Sequence, residues 1–261
     1  MRLLISLALF FLSFSAFSQA DFYLTVESAP SENVPGNTVY RFYVNMSDAS
    51  DKFSSVYGND LEPLVINTPE GIFNTPYNPS FNATGLNPLF FPYFPDMVDD
   101  SYATIGLDVV ASESGISGAA DPSLVEDSSL IPTVSSYFQT GGTGLNVNTL
   151  TGAAWYVLNS AGNALPDDNL RVLVMQITTA GTISGTLNFQ VFPLGVGADQ
   201  LSKSIEFSGA GVFGSNGGCT TPFACNYNPF ATYDNGSCDF FDSDGDGVCD
   251  EFEIDGCTDI S

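Results

Sequence analysis

The sequence predicts an all-β protein in which a two-sheet β-sandwich precedes a small, irregular, disulfide-rich segment. Three observations predict this fold. Short runs rich in Val, Ile, Thr, Tyr and Phe recur along the chain and are divided by Gly, Pro, Asn and Asp, as is typical of strands and turns. No segment shows the sustained i, i+3, i+4 apolar spacing of an amphipathic helix. All five cysteines lie at or beyond residue 219, in a stretch with too few apolar residues for its own core.

The first 20 residues predict a secretory signal peptide. A basic start, Met1-Arg2, precedes an apolar run over 3–17, which is too short to be interpreted first as a membrane span. Cleavage is expected after Ala20, with cleavage after Ser18 as the alternative. The mature chain is therefore expected to be secreted, either extracellular or attached to the outer cell surface, where disulfides persist. No other run approaches the length of a membrane span, so no transmembrane anchor is expected.

Residues 21–207 are expected to form the sandwich, and 208–218 a Gly- and Ser-rich linker to the cysteine-rich tail. Strand-like runs predict a sandwich of jelly-roll or cohesin-like type, and Ala180-Gly181 predicts a hairpin turn. The likeness to cohesin and carbohydrate-binding sandwiches is one of architecture alone, since no motif of either family is matched. The lone Trp155 is interpreted as core. The predicted strands are 22–27, 39–45, 102–110, 153–158, 170–178, 182–192 and 204–207.

The charge balance and the absence of histidine exclude several classes of function. The chain has 5 Lys and Arg against 30 Asp and Glu, a net charge of −25. Nucleic acid is bound mainly through basic residues, so it is not an expected partner. Without histidine there is no Ser-His-Asp triad, Cys-His dyad or histidine-ligated zinc site. A pair of carboxylates of the kind that glycosidases use stays open.

Two stretches of the body are candidates for a functional site. Residues 68–95 are dense in aromatics and prolines, and exposed aromatics on rigid loops stack on sugar rings. Phe73, Tyr77, Phe81 and Tyr93 are therefore candidate ligand-binding residues. The density of aromatics favours the alternative, in which they pack over an open end of the sandwich. In the acidic band that follows, solvated loop charges are favoured over a catalytic pair or a calcium site; its members are Asp96, Asp99, Asp100, Asp108, Glu113, Asp121, Glu126 and Asp127.

Residues 239–255 contain a loop with the spacing of a calcium site. Acidic residues fill the first, third, fifth, ninth and twelfth positions from Asp242 to Glu253, and Gly247 at the sixth permits the sharp turn. Ca²⁺ takes about 6–8 oxygen ligands, so alternate side chains turn inward around the ion. A solvated acidic linker is the alternative. The expected ligands are Asp242, Asp244, Asp246, Val248 through its carbonyl, Asp250 and Glu253.

Turn-forming residues flank this loop on both sides, so it does not belong to a helix-loop-helix motif. With its run Asp242-Ser-Asp-Gly-Asp-Gly, the segment 239–255 resembles a thrombospondin type-3 repeat. Residues 219–238, which contain Ala-Cys-Asn-Tyr-Asn-Pro and Gly-Ser-Cys, resemble a cysteine-rich repeat of large secreted bacterial surface proteins. The resemblance implies calcium binding, an extracellular location and a spacer or adhesive role. It does not imply catalysis.

The cysteines are disulfide candidates whose number is odd. The run Gly-Cys-Thr at 218–220 recurs at 256–258, which predicts that residues 256–261 open a truncated next repeat. Cys257 is then expected to belong to that following unit. The alternative is that Cys257 pairs within this unit and another thiol stays free. The five candidates are Cys219, Cys225, Cys238, Cys249 and Cys257.

Two functions of different class follow from these observations. The favoured one is a secreted or cell-surface, non-enzymatic calcium-binding protein, with the sandwich serving adhesion or ligand binding on a calcium-stabilised stalk. Its expected partner is an extracellular ligand, either a glycan or another surface protein. The alternative is a secreted polysaccharide-active hydrolase or its carbohydrate-binding accessory region.

Overall fold

The computed structural model describes residues 22–215, 217–228, 231, 233–234, 236, 238–242 and 249. It confirms the predicted all-β sandwich, because most of the described elements are strands in two antiparallel sheets. The predicted signal peptide lies outside the described residues. None of the helices in the described ranges has the length and apolar character that crossing a bilayer would demand.

The strands are numbered here in chain order. They are β1 Tyr23–Pro30, β2 Thr38–Asn45, β3 Lys52–Gly58, β4 Leu64–Asn67, β5 Tyr102–Ala103, β6 Ser123–Glu126, β7 Gly144–Val147, β8 Ala153–Tyr156, β9 Arg171–Thr179, β10 Ser184–Phe192, β11 Leu201–Ser208, β12 Gly211–Phe213, β13 Gly217–Gly218 and β14 Tyr233–Asp234. The α-helix α1 is Val134–Thr140. Short 3₁₀ turns occur at Ala83–Gly85, Pro88–Phe90, Pro95–Asp99, Ala111–Glu113, Gly162–Ala164, Pro193–Gly195 and Gly197–Asp199.

The strands form two main sheets with different strand orders. The first has the order β12-β1-β2-β9-β5, and the second β6-β8-β3-β10-β4-β7. Strand β10 organises the second sheet, because β11 pairs along one of its edges while β4 and β3 share the other. A separate parallel pair joins β13, at the end of the expected linker, to β14 in the cysteine-rich tail.

The core lies between the sheets and is filled by aromatic and branched side chains. Phe42 on β2 meets Phe207 on β11 edge to face at 5.1 Å, which joins one sheet to the other. Trp155 is fully buried, as predicted, and its indole Nε1–H donates to the carbonyls of Thr104 (3.2 Å) and Val174 (3.3 Å). A buried indole donor is therefore satisfied at the centre of the sandwich.

Three sequence expectations about the sandwich are wrong. Ala180-Gly181 does not make a hairpin, because β9 and β10 belong to different sheets and the chain crosses between them here. The predicted strand 102–110 is regular only over Tyr102–Ala103. The expected linker 208–218 contains β12, which pairs with β1 and so belongs to the first sheet. The partly buried ring of Phe213, the last residue of β12, packs against the core.

Candidate functional site

Two disulfides order the described part of the cysteine-rich tail. Cys219 bonds to Cys238, and Cys225 bonds to Cys249. This pairing uses the other four cysteines, so it contradicts the alternative in which one of them stays free while Cys257 pairs within the unit. Cys257 itself lies outside the described residues.

The second disulfide ties the expected calcium loop to the repeat before it. Cys249 occupies the eighth position of the loop and is bonded to Cys225. At the loop entrance the Cys225 N–H donates to the Asp239 carbonyl at 2.8 Å, and the Asp239 N–H donates to Asn226 Oδ1 at 2.9 Å. The chain thus leaves residues 225–226 at 239 and returns to them at 249.

Of the expected calcium ligands, only Asp242 lies within the described residues, where it is half-buried. The remaining expected ligands lie outside them, namely Asp244, Asp246, Val248, Asp250 and Glu253. The structure therefore describes the entrance and the tether of the loop, and the calcium ligands stay a prediction from the sequence.

Peptide mapping of the oxidised protein is expected to recover these two disulfides. Non-reducing digestion should yield Cys219 linked to Cys238 and Cys225 linked to Cys249, because these pairs are bonded in the folded tail. Alkylation before digestion should leave Cys219, Cys225, Cys238 and Cys249 unlabelled. A peptide joining Cys219 to Cys225, or a label on Cys249, would contradict the structure.

The candidate ligand-binding aromatics do not share one environment. Phe73 and Phe81 are half-buried, and Phe81 packs against the main core. Tyr77 is 45% exposed and stacks on Phe94 with ring centroids 3.9 Å apart, while Tyr93 is 76% exposed. Only the two tyrosines of this predicted set are thus presented to solvent.

Residues 68–95, called the aromatic segment below, share a small hydrophobic cluster with Met97 and Tyr102 that is separate from the main core. Ala83, Leu86, Met97 and Tyr102 are buried together, with the partly buried rings of Phe91 and Phe94 against them. These two rings are therefore packed, as the favoured alternative expects, but on this cluster; packing over an open end of the sandwich stays a prediction. Two exposed apolar side chains on the turn Pro88–Phe90 are not among the predicted residues, namely Leu89 (71% exposed) and Phe90 (51% exposed).

Capping residues explain why this segment folds into short turns. Asn82 Oδ1 accepts from the Thr84 N–H, and Asn87 Oδ1 accepts from the Leu89 N–H, both at 3.0 Å. Pro88 begins the second of these turns, at a position that needs no backbone donor. The turns are therefore held by local side-chain bonds as well as by packing.

Two carboxylates of the acidic band are buried, which corrects the expectation of solvated loop charges. Asp100 is 1% exposed and accepts from the Thr75 N–H at 2.8 Å and from Asn78 Nδ2 at 2.7 Å. Burial raises its pKa to about 7 against the opposing effect of these hydrogen bonds. Asp99, 5% exposed, accepts from Ser31 Oγ and from the backbone and side chain of Asn33.

Thr75 joins Asp100 to a second carboxylate. Its N–H donates to Asp100, and its hydroxyl donates to Asp96 Oδ2 at 2.8 Å. The nearby Asp96 charge also contributes to raising the pKa of Asp100. Two neighbouring carboxylates of different pKa could serve as a general acid and a general base. Asp100 is enclosed by protein, however, so a substrate would not reach it in this structure.

Other carboxylates of the band accept hydrogen bonds from neighbouring loops and helix ends. Asp121 accepts from the Ala111 N–H at 3.0 Å, Glu126 from the Ser135 N–H at 3.0 Å, and Asp127 from Thr149 Oγ1 at 2.8 Å. Within the described ranges no three Asp, Glu or Cys side chains gather in a way that would hold a metal ion.

Comparisons of the chain with models of protein families, with curated proteins and with solved structures found no match. A proposal about function therefore depends on the chemistry of these residues. The calcium loop with its disulfide tether and the exposed turns of the aromatic segment are the two features that carry it.

Proposed function

We propose that the protein is a secreted or cell-surface, non-enzymatic calcium-binding protein that binds an extracellular ligand through its sandwich. The observation that carries this proposal is the tethered loop, in which the D-x-D-x-D-G spacing coincides with a chain that leaves and returns to residues 225–226. Holding the loop at these two points supports ion binding, because it keeps the five carboxylates of the loop close to one another. Calcium titration of the oxidised protein tests it.

The exposed turns of the aromatic segment are the favoured ligand contact. Tyr77, Leu89, Phe90 and Tyr93 offer apolar surface to solvent. The Tyr93 N–H donates to the Phe90 carbonyl at 2.9 Å, and Tyr77 is held against Phe94. The Tyr77 ring, held in this way, loses little conformational entropy on binding, and exposed aromatic rings fit the apolar face of a sugar ring. A glycan is therefore the proposed ligand.

The second candidate function is a polysaccharide-active hydrolase. The Asp96 and Asp100 pair favours it, because the two carboxylates share Thr75 beside the aromatic segment and burial raises the pKa of Asp100 to about 7. The burial of Asp100 opposes it. Hydrolysis of a bound polysaccharide by the wild type, lost in Asp100→Asn, would favour the enzyme over the binding protein.

Replacing Phe90 and Tyr93 by alanine is expected to lower affinity for the bound glycan at least about tenfold without lowering stability. Burying one such side chain against a ligand is worth about 1.5–3 kcal/mol. Both side chains are exposed in the free protein, so the core should not change. A glycan array with the wild type identifies the ligand, and affinity and thermal unfolding are then compared between the proteins.

Phe223→Ala is the matched control, since Phe223 is 90% exposed and lies in the tail. It should bind like the wild type. Unchanged affinity in the Phe90→Ala and Tyr93→Ala double variant would remove the aromatic turns from the proposed site.

A further inference from the structure

A pocket lies on the outer face of the first sheet, away from the core. Its floor is formed where β2 pairs with β9 across a register shift next to Tyr43. The walls around a volume of about 530 Å³ come from residues 106–108, Ile116, Gly162 and residues 165–168. This volume falls in the range of small-molecule sites, about 300–1,000 Å³, and bulged strands often border such sites.

The pocket concentrates positive charge in a chain that has very little of it. Arg2, Arg41, Lys52, Arg171 and Lys203 are the five basic residues, and two of them, Arg41 and Arg171, line this pocket. The Arg171 guanidinium lies over the Tyr43 ring at 4.2 Å and that of Arg41 at 5.9 Å. The ring thus positions both guanidinium groups through cation–π contact.

Much of the hydrogen-bond donor capacity of these two arginines is not used by the carboxylates that pair with them. Arg41 Nη2 donates to Asp108 at 3.1 Å and Arg171 Nη1 to Glu27 at 2.6 Å, while each guanidinium has five N–H donors. Both carboxylates are at least half exposed, so these are weak surface pairs. Arg41 also contacts the Tyr102 hydroxyl, and Arg171 Nε lies 3.9 Å from Asp167 Oδ2 in a third ion pair. Both Nε atoms are buried and have no hydrogen-bond acceptor among the described residues, so the donors open to a ligand are on the Nη atoms.

The lining has nearly balanced charge, which bears on the kind of ligand. Asp108, Asp167 and Asp168 face the two arginines, so the pocket offers both strong donors and strong acceptors, with a net charge near −1. An anion would be attracted by the arginines but repelled by the aspartates and by the net negative charge of the protein. A hydroxyl group donates and accepts, so it can pair with both.

Apolar side chains at the rim of the pocket provide a surface for the C–H groups of a ligand. Ile116 is 39% and Leu165 40% exposed at the pocket, and Pro166 lies beside Leu165 in the lining. Such side chains suit the C–H face of a sugar ring, while the charged groups suit its hydroxyls.

We propose that this pocket binds a neutral sugar residue of a glycan, with Arg41 and Arg171 donating to its hydroxyls and Asp168 accepting from them. The proposal rests on the glycan-binding function proposed above and assigns that ligand class a second site, distinct from the exposed aromatic turns. Asp168 is the most informative position, because it is exposed in the lining and takes part in none of the arginine pairs described.

The test measures binding of neutral methyl glycosides and of the corresponding uronic acids to the full mature chain by ligand-observed NMR. At least one neutral glycoside is expected to bind in the millimolar range and to bind more tightly than its uronic acid. Asp168→Ala, which removes the acceptor, and Ile116→Trp, which fills the pocket, should each weaken that binding about tenfold or more. Asp199→Ala, an exposed change of the same charge outside the pocket, should leave it unaltered.

Three results would overturn the assignment: no neutral glycoside binding, tighter binding of the uronic acid, or unchanged binding in both pocket variants. The Phe90→Ala and Tyr93→Ala double variant distinguishes failure of the pocket assignment from failure of the proposed function. If glycan binding is lost in that variant and kept in Asp168→Ala and Ile116→Trp, the pocket assignment fails while the glycan-binding function stands. If no glycan binds the wild type at all, both fail.

Discussion

Replacing Asp244 and Asp246 together by alanine is expected to abolish calcium binding by residues 239–255 while leaving the sandwich folded. The change removes two of the oxygen ligands that the loop spacing provides, and Ca²⁺ needs about 6–8. The tail has too few apolar residues for a core of its own, so we expect its order to depend on its disulfides and on the ion. Hydrogen exchange in 239–255 should therefore rise in the variant, as it should in the wild type with EDTA.

The measurement is a calorimetric titration of the oxidised protein with CaCl₂, carried well beyond the range of about 10⁻⁴–10⁻³ M typical of extracellular modules. Asparagine at the same two positions keeps an oxygen and fits the loop pattern, so that variant should bind weakly but measurably. Asp60→Ala with Asp199→Ala changes the net charge equally at exposed positions and should bind like the wild type. Equal binding heat in the Asp244→Ala and Asp246→Ala variant would contradict the calcium site.

Strands with a strong local pattern could be predicted, and those that depend on partners could not. The apolar run of β9 is buried on both faces, as expected for a central strand. Strand β3, Lys-Phe-Ser-Ser-Val-Tyr-Gly, has only a weak alternation, and its place is set by pairing with β10 and β8. Tertiary context overrides weak strand propensity in such cases.

The helix α1 was missed for a related reason. It has a single apolar turn, with Val134, Tyr137 and Phe138 buried at the spacing i, i+3, i+4. Its Thr133 cap, whose Oγ1 accepts from the Ser136 N–H at 3.2 Å, is visible in the sequence only once the helix is suspected. One turn is too short a signal to separate a helix from a loop.

The candidate site shows the same limit more sharply. The composition of 68–95 predicts that aromatics matter there, but it does not tell Phe81, which reaches the main core, from Tyr93, which faces solvent. Asp99 is buried by Ser31 and Asn33, which come from the connection between β1 and β2. Contacts between such distant parts of the chain leave no local signature. The calcium loop is the opposite case, because all its expected ligands lie within twelve consecutive residues.

Asp100 should make the sandwich less stable as the pH rises from about 4 to about 7. Burial raises its pKa from 3.8 to about 7 in the folded protein, so between these values the folded state holds a proton that the unfolded state has released. The free energy of unfolding then falls with increasing pH, by about 4 kcal/mol over the whole window for this group alone. The contribution is fully present below the unfolded pKa and is lost as the pH passes the folded one.

Asp100→Asn cannot titrate, so its unfolding free energy should change less between pH 4 and pH 8 than that of the wild type. Urea unfolding followed by the fluorescence of Trp155, the only tryptophan and a fully buried one, gives the free energy at each pH. Calcium is kept saturating, because the carboxylates of the loop also bind protons. Asp60→Asn, at an exposed carboxylate, should keep the wild-type slope. A wild-type slope in Asp100→Asn would mean that Asp100 is ionised in the folded protein, because the N–H donors of Asn78, Thr75 and Ser101 outweigh its burial.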